Sequence, residues 1–275
     1  MKKRVLVKGG LGNQMFQYAF YLSLKQKGVD CVLDKSLFDM VSMHQGYELD
    51  KVFGISNPEG SETWINRNLV RLLYKYKPGG IVYSDTPYQY KDDVYHSNSL
   101  LYTGCWTHPS YFSSIEEIIK EVFIFHNIND RNKQMVEDLA TINSVSLHIR
   151  RGDYLNNPIY DVCDASFHKK AIQVITEKVD NPQFLVFSDD PDWCANYMKQ
   201  FHVDYKMVDW NKGKDSFQDM YLMSKCKHNI IANSTFSWWG AWLNANPDKI
   251  VVSPSKWTTE SEMNYSIKNW KFINV

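Results

Sequence analysis

The sequence has little of several features that would mark particular classes of protein. Its five cysteines form no C-x-x-C pair, which favours reduced thiols in a cytoplasm over a disulfide framework or a zinc site. No apolar run approaches the roughly 20 residues of a membrane-spanning helix, and the N-terminal apolar run is too short for a secretory signal. Neither sign of charge is in excess, because Lys plus Arg and Asp plus Glu number 31 each. These absences predict a cytosolic globular protein without a general affinity for nucleic acid, so any anion site must be local.

The apolar segments alternate between strand-like and helix-like patterns. The opening predicts a strand at 5–8, a glycine turn, a helix at 13–27 and a strand at 30–33. Residues 36–109 show only short periodic pieces, and we expect irregular loops and short helices there. From residue 144 onward the alternation is regular, with strands at 144–149, 183–188, 205–208, 229–232 and 249–253 and helices near 164–178, 191–200, 215–224 and 234–245.

Such alternation predicts an α/β protein whose mainly parallel sheets carry helices on both faces. With 275 residues, the chain is long enough for two units. We therefore expect two Rossmann-type β/α/β halves facing across a cleft, with one domain at 1–135 and the other at 136–275.

Three short strings stand out, and each follows a predicted strand: GGLGNQMFQYAF at 9–20, HIRRGDY at 148–154 and ANSTFSWWGAWL at 232–243. In the middle string, the period of a strand places His148 and Arg150 on one face and Arg151 on the other. The forked guanidinium of Arg150 suits a pyrophosphate, although a structural salt bridge would be expected for an arginine considered alone. His148 on the same face favours the phosphate interpretation. For Arg151 and Asp153 we expect a structural ion pair or turn bond.

The last string is a strand followed by a helix. Backbone amides of Thr235 and Phe236, with the hydroxyl of Ser234 or Thr235, would receive a phosphate oxygen at the start of this helix. Ser234 equally fits the cap of its own helix, and the two roles are compatible. The three tryptophans of this string are expected in the core.

Two further patterns have structural explanations. The acidic run at 187–192 contains an Asp-x-Asp of the kind that holds a divalent metal in some enzymes. Because Pro191 suits a first helical turn, Asp190 is better explained as its cap, which leaves Asp189 to face the cleft. The tripeptide 151–153 also matches integrin-binding loops, but a cytosolic protein gives that match no role.

Taken together, the three strings and FSDD at 187–190 resemble glycosyltransferase family 11, the α-1,2-fucosyltransferases, and specifically a bacterial member. The resemblance extends over almost the whole chain. It implies a GT-B-like fold, GDP-fucose as donor substrate, inversion at the anomeric carbon, and neither a metal nor another cofactor. The N-terminal domain would then be the acceptor side and the C-terminal domain would bind GDP-fucose.

The resemblance also implies roles for individual residues. Arg150 would grip the β-phosphate with His148 beside the nucleotide, and Asp219 would bind the guanine edge. Asn13, with Arg150 and His148, would act at the reacting sugar. The full set implied to contact the donor is Gly12, Asn13, Gln14, His148, Arg150, Ser188, Asp189, Asp219, Asn233, Ser234, Thr235 and Phe236.

The leading hypothesis is transfer of L-fucose to the 2-hydroxyl of a terminal galactose on a glycan or lipid-linked saccharide. Alternatives are a fucosyltransferase of another linkage, a transferase using another GDP-sugar, and a non-catalytic nucleotide-binding or adhesion module. The sequence identifies neither the acceptor nor a general base. A lipid-linked acceptor would bring the protein into peripheral contact with the inner face of the membrane, although the sequence shows no obvious basic amphipathic helix.

Overall fold

The computed structural model describes residues 2–39, 44–56, 64–263 and 265–275. The chain divides into two compact units, Met1–His126 and Asn127–Val275. This division precedes our expected boundary by nine residues, because the helix Asp130–Ala140 packs as a whole on the second unit. Within the described part of the chain, no helix has both the length and the apolar character needed to cross a bilayer.

The first unit contains a parallel sheet with helices packed against it. Its elements are β1 (Lys3–Leu6), α1 (Leu11–Gln26), β2 (Cys31–Asp34), α2 (Leu49–Phe53), α3 (Trp64–Tyr76), β3 (Val82–Ser84), β4 (Leu101–Thr103) and α4 (Glu116–Val122). The described strands run in the order β2-β1-β4-β3, and every pairing is parallel. Helix α1 buries Met15, Phe16 and Phe20, which recur at helical spacing on the face turned to the core.

Two expectations for the first unit are wrong. Residues 36–109 were expected to be irregular, yet they supply β3 and β4, because strands of three residues are too short to show alternation. The sequence showed no obvious basic amphipathic helix, yet α3 has Val70 buried and Arg71, Leu72 and Lys75 exposed. Its outer face mixes apolar with basic residues, which hides the amphipathic pattern.

The second unit is a doubly wound α/β fold. Its elements are α5 (Asp130–Ala140), β5 (Asn143–Ile149), α6 (Ala165–Thr176), β6 (Pro182–Ser188), α7 (Pro191–Met198), β7 (Tyr205–Val208), α8 (Phe217–Lys225), β8 (His228–Ile230), α9 (Thr235–Trp242), β9 (Val251–Pro254), β10 (Lys256–Thr258), β11 (Ser261–Glu262) and β12 (Trp270–Ile273). The main sheet is parallel, in the order β12-β9-β8-β5-β6-β7. Helices α6 and α7 pack on one face, whereas α5 and α8 pack on the other. The predicted α/β class with parallel sheets is thus confirmed within each unit.

Helix α9 is held by its tryptophans. Trp238 and Trp239 are fully buried and Trp242 nearly so, which confirms their expected place in the core. Gly240 lies where α9 meets α8, since a Cβ atom at this position would stand 2.8 Å from the Cβ of Met223. Close packing of the two helices therefore fixes the position of the start of α9.

The order of the strands creates a switch point between β5 and β8. From β5 the chain proceeds through β6 and β7 on one side, and it then returns to β8 on the other side. Loops that leave β5 and β8 therefore diverge at their carboxyl ends, where open α/β sheets bind ligands.

Candidate functional site

The structure brings the loops after β5, β6 and β8 together at the carboxyl edge of the second unit's sheet. Arg150, directly after β5, forms an ion pair with Asp189, directly after β6, with 2.9 Å between Nη1 and Oδ2. Tyr154, in the same loop as Arg150, donates a hydrogen bond of 3.0 Å to the carbonyl of Asn233, just before α9. The Arg150 guanidinium carbon lies 5.7 Å from the centroid of the Tyr154 ring. Side-chain contacts thus connect the predicted phosphate-binding arginine to the start of α9.

Two carboxylates hold the guanidinium of Arg150. Its Nε and Nη2 both bond Oδ1 of Asp153, at 3.0 and 2.7 Å, and its Nη1 bonds Asp189. A guanidinium has five N–H groups, so these three contacts leave two donors for another acceptor. The Asp153 side chain is 56% exposed, which makes its pair with Arg150 the weaker and more exchangeable one.

Arg151 has a structural environment. Its Nε lies 2.9 Å from Oδ2 of Asp190, and its guanidinium carbon lies 3.9 Å from the Trp193 ring centroid. Asp190 also accepts the backbone N–H of Trp193 at the start of α7, as expected for a helix cap. These contacts tie Arg151 to α7, so the tripeptide 151–153 does not have the freely projecting arginine of an adhesion loop.

Three residues expected to contact the donor also make bonds within the site, and their contact with the donor stays a prediction. Asp189 is exposed, and it accepts the Arg151 backbone N–H at 2.9 Å as well as pairing with Arg150. The Ser188 hydroxyl accepts the Asp190 backbone N–H at 3.1 Å. The buried Asn233 side chain donates to the Trp257 carbonyl at 2.8 Å and so braces the turn before α9. Polar side chains in short turns satisfy nearby backbone groups, which spacing alone does not reveal.

Gly152 is needed for this arrangement. A Cβ atom at this position would lie 2.5 Å from Oδ2 of Asp189, the oxygen that bonds Arg150. Any larger residue would therefore displace the carboxylate that orients the arginine.

His148 is buried near the end of β5, and its ring centroid lies 6.1 Å from that of Phe236. Burial, reinforced by the Arg150 guanidinium, lowers the pKa of His148 well below its ordinary value. Among the described residues, none bonds its Nδ1. The lowered pKa favours the neutral imidazole, which offers one N–H donor and one acceptor, and a role of His148 in the reaction stays a prediction.

The start of α9 keeps its backbone donors. Ser234 is the N-cap residue, but its hydroxyl makes no capping hydrogen bond and the first turn contains no acidic residue. Thr235 and Phe236 are partly exposed. Uncapped first-turn amides and the partial positive charge of a helix start together favour an anion here.

Asp219 lies in the first turn of α8, and its Oδ1 accepts a hydrogen bond of 2.8 Å from Nδ2 of Asn211. The Oδ1 atom of Asn211 in turn accepts a hydrogen bond of 2.8 Å from Nδ2 of Asn132 in α5. The Oδ1 atom of Asn132 accepts a hydrogen bond from the indole N–H of Trp210. Burial raises the pKa of the Asp219 carboxyl to about 7, and the bond from Asn211 opposes this rise. Neither Asn132 nor Asn211 belongs to a motif, so sequence patterns do not indicate these two residues.

The predicted residues of the first unit divide into two kinds. Gln14 is wholly buried: its amide donates to the carbonyls of Gly9 and Gly46, at 2.9 and 2.8 Å, and its oxygen accepts the Glu48 backbone N–H. Its contacts are those of a brace and not of a donor ligand. Gly12 is buried within α1, whereas the Asn13 side chain, one residue later, is partly exposed.

Two carboxyl groups of the first unit were not singled out from the sequence. Burial raises the pKa of Glu48 to about 7 and that of Asp85 to about 6, in each case against hydrogen bonds from backbone N–H groups. Both belong to the segment 36–109, where the sequence shows no motif. Strongly perturbed carboxyls are found at functional sites more often than elsewhere, but no sequence signal announces them.

No group of three or more potential metal ligands occurs among the residues that the structure describes. At the site itself, Asp189 and Asp190 are both paired with arginines. N–H donors of Arg150 and of the first turn of α9 are available to a phosphate.

Comparison with known proteins identifies similar sequences along the whole chain. The profile of Glycosyl transferase family 11 matches residues 2–274. An alpha-1,2-colitosyltransferase of Escherichia coli is 35% identical over 268 residues, which cover 93% of this chain and 92% of the relative. The O-antigen biosynthesis glycosyltransferase WbnK, also from Escherichia coli, is 36% identical with coverage of 90% and 92%. The galactoside 2-alpha-L-fucosyltransferase Sec1 of Mus musculus is 27% identical, with coverage of 87% of this chain and 63% of the relative.

Proposed function

Because the chain belongs to glycosyl transferase family 11, we propose that it moves L-fucose from GDP-fucose to the 2-hydroxyl of a terminal galactose, with inversion at the anomeric carbon. The observation that carries this proposal is the connection of Arg150 to the start of α9 through Tyr154 and Asn233. We assign GDP-fucose to the second unit and recognition of the glycan acceptor to the first. Asn13, partly exposed near the start of α1, is the residue of the first unit that we assign to the reacting sugar.

Departure of GDP leaves negative charge on the diphosphate, and fixed donors must stabilise it. Two N–H groups of Arg150 and the first-turn amides of α9 are available for this purpose. Preorganised donors of this kind contribute about 3–4 kcal/mol each to transition-state stabilisation. We propose that phosphate replaces the exposed carboxylate of Asp153 on Arg150, while Asp189 keeps the guanidinium oriented. Side-chain and backbone donors then neutralise the leaving group without a divalent ion.

The guanine base is assigned to Asp219. Guanine presents two adjacent N–H donors, at N1 and N2, which a carboxylate accepts side by side. The carboxyl has a raised pKa of about 7, so binding of guanine would also stabilise its ionised form. Adenine lacks this pair of donors and would be disfavoured.

A transfer assay tests the proposal directly. Purified protein is incubated with GDP-fucose and lactose, with and without EDTA, and the product linkage is determined by NMR. We expect an α-1,2-linked fucose on galactose in both samples. Absence of transfer to any galactoside would contradict the activity, and loss of transfer in EDTA would contradict the metal-free mechanism.

A second candidate donor is suggested by the similarity to an alpha-1,2-colitosyltransferase. Colitose is L-fucose without its 3-hydroxyl, so the two GDP-sugars share every group that the second unit is proposed to hold. The same assay with GDP-colitose separates them. A higher kcat/KM for GDP-colitose would identify this sugar as the natural donor and leave the assignment of the nucleotide site intact.

The role of Arg150 is tested by Arg150→Lys. We expect kcat to fall at least about 100-fold, because a point charge replaces a fork aimed at the leaving phosphate. Arg151→Lys is the matched control in the same loop, and we expect it to retain most activity, since Arg151 binds Asp190 and Trp193. Near-normal turnover of Arg150→Lys would remove this residue from the mechanism.

A further inference from the structure

Helix α3 exposes a continuous apolar stripe. Leu69, Leu72 and Tyr76 are 38%, 54% and 68% exposed, and Ile81, shortly after the helix, is 40% exposed. The three helical residues are spaced i, i+3 and i+7, so they lie along one side of the helix. Scattered apolar residues on a surface need no explanation, but an aligned stripe suggests a binding surface.

A different side of α3 anchors the helix in the first unit. Val70 is buried in a cluster with Leu6 and Leu101, and Leu73 and Tyr74 pack against the same cluster. The stripe is therefore not the side that holds the helix in the fold. Changing it should leave the fold intact.

The charged residues of α3 and of the segment that follows it are all positive. The segment 64–84 contains no Asp or Glu. Arg71, Lys75 and Lys77 are exposed, and the ammonium of Lys75 lies 5.1 Å from the centroid of the Tyr76 ring. An apolar stripe bordered by cations and an aromatic ring is the arrangement of helices that lie in the interface of an anionic bilayer.

We propose that the outer face of α3, formed by Leu69, Leu72 and Tyr76 with Arg71, Lys75 and Lys77, binds the surface of an anionic phospholipid membrane. The apolar side chains enter the boundary between headgroups and acyl chains, and the cations contact phosphate groups. Each Lys or Arg near such a surface contributes about 1 kcal/mol, which is about fivefold in partitioning. A second copy of the chain is a less suitable occupant, because it would bring two purely basic segments together.

A second exposed apolar pair serves as a control. Ile118 and Ile124 are 44% and 60% exposed, which is comparable to the stripe. Ile118, however, follows Glu116 and Glu117 and precedes Glu121. Anionic lipid would repel this surface, so these residues match the stripe in exposed apolar character but not in charge.

Vesicle flotation with the full chain tests the proposal. The probes are vesicles of phosphatidylcholine alone and vesicles that also contain phosphatidylglycerol. We expect partitioning at least about tenfold stronger with phosphatidylglycerol, and weaker binding as the salt concentration rises. The double variant Leu72→Ser/Tyr76→Ser should bind at least about tenfold more weakly than the unchanged chain. The double variant Arg71→Gln/Lys75→Gln should bind about 25-fold more weakly than the unchanged chain, and this loss should occur only on the anionic vesicles.

Two controls make the result decisive. Ile118→Ser/Ile124→Ser should partition like the unchanged chain, and transfer to soluble lactose should be the same in the stripe variants. The proposal is overturned if the chain shows no preference for phosphatidylglycerol, or if the stripe and control variants lose binding equally. It is also overturned if sedimentation reveals a dimer that the stripe variants abolish.

Discussion

At the scale of single residues, Asn211 governs how Asp219 can present its carboxylate. Its amide donates to Asp219, and its carbonyl oxygen is fixed by Asn132. We therefore predict that Asn211→Ala reduces discrimination between GDP and IDP, because inosine lacks the N2 amino group that an oriented carboxylate would accept. Calorimetry should give about a tenfold preference for GDP with the unchanged chain and about twofold or less with the variant.

The control for this prediction is Asn229→Ala. Asn229 is also buried, but its amide donates to Ser146 and to the Met223 carbonyl. The control should lose stability through its unsatisfied partners yet keep the ratio of GDP to IDP affinity. A ratio that is unchanged in Asn211→Ala would remove Asn211 from guanine recognition.

Prediction from sequence was successful for residues that lie in short strings and failed for residues that act through distant partners. The string at 148–154 located Arg150 and Arg151 at a strand end, where the structure has them. Asn132 and Asn211 are 79 residues apart, and nothing in the spacing indicates that they bond. The bond between Asp189 and Arg150 could not be predicted either, because it depends on β5 and β6 being neighbours in the sheet.

At the scale of elements, the packing of α9 on α8 and helix propensity predict opposite effects of an alanine at position 240 on stability. Alanine at position 240 would favour the helix by about 1 kcal/mol over glycine. However, its Cβ would approach that of Met223 to 2.8 Å, and overpacking of this kind costs about 1–3 kcal/mol. We expect Gly240→Ala to lower the free energy of unfolding, measured in urea, and to weaken GDP binding as the start of α9 shifts.

Gly79→Ala is the control, since no atom lies within 4 Å of its added Cβ. It should change the free energy of unfolding by less than about 0.5 kcal/mol. If Gly240→Ala were more stable than the unchanged chain, the contact between the two helices would not fix α9.

Elements of the second unit were easier to predict than those of the first. The strand at 205–208 has the bounds that its pattern predicts, and β5 and β6 begin one residue earlier than expected. These strands are bounded by helices of regular period. In the first unit, β3 and β4 have three residues each. They are strands because they pair in parallel with each other, and not because their own sequences show a strand pattern.

At the scale of the whole molecule, the resemblance to family 11 is confirmed, and the α/β class is confirmed in each unit. The pattern of alternating elements indicates parallel sheets, because parallel neighbours need a crossover connection and that connection is usually a helix. It does not specify the strand order, and so it could not show that β5 and β8 are neighbours. The proposed nucleotide site depends on that adjacency.

Because the donor is assigned to the second unit, we predict that GDP slows amide hydrogen exchange in that unit and not in the first. Each unit has a buried apolar cluster of its own, around Leu6 and Val70 in the first and around Val145 and Phe184 in the second. At a GDP concentration 100 times its dissociation constant, binding stabilises the bound form by about 2.7 kcal/mol. Amide hydrogen exchange in β5, β8 and α9 should therefore slow by up to about 100-fold, whereas exchange in β1 and α1 should change little.

The hydrogen-exchange measurement needs, as a control, a nucleotide that the site should bind poorly. ADP at the same concentration should slow exchange in β5, β8 and α9 much less than GDP, because its base lacks the paired donors for Asp219 and only the diphosphate contacts remain. Arg150→Lys with GDP should show a smaller gain of protection in the same segments. Slowing confined to β1 and α1 would place the nucleotide on the first unit and reverse the assignment, whereas slowing in the second unit alone would support it independently of any acceptor.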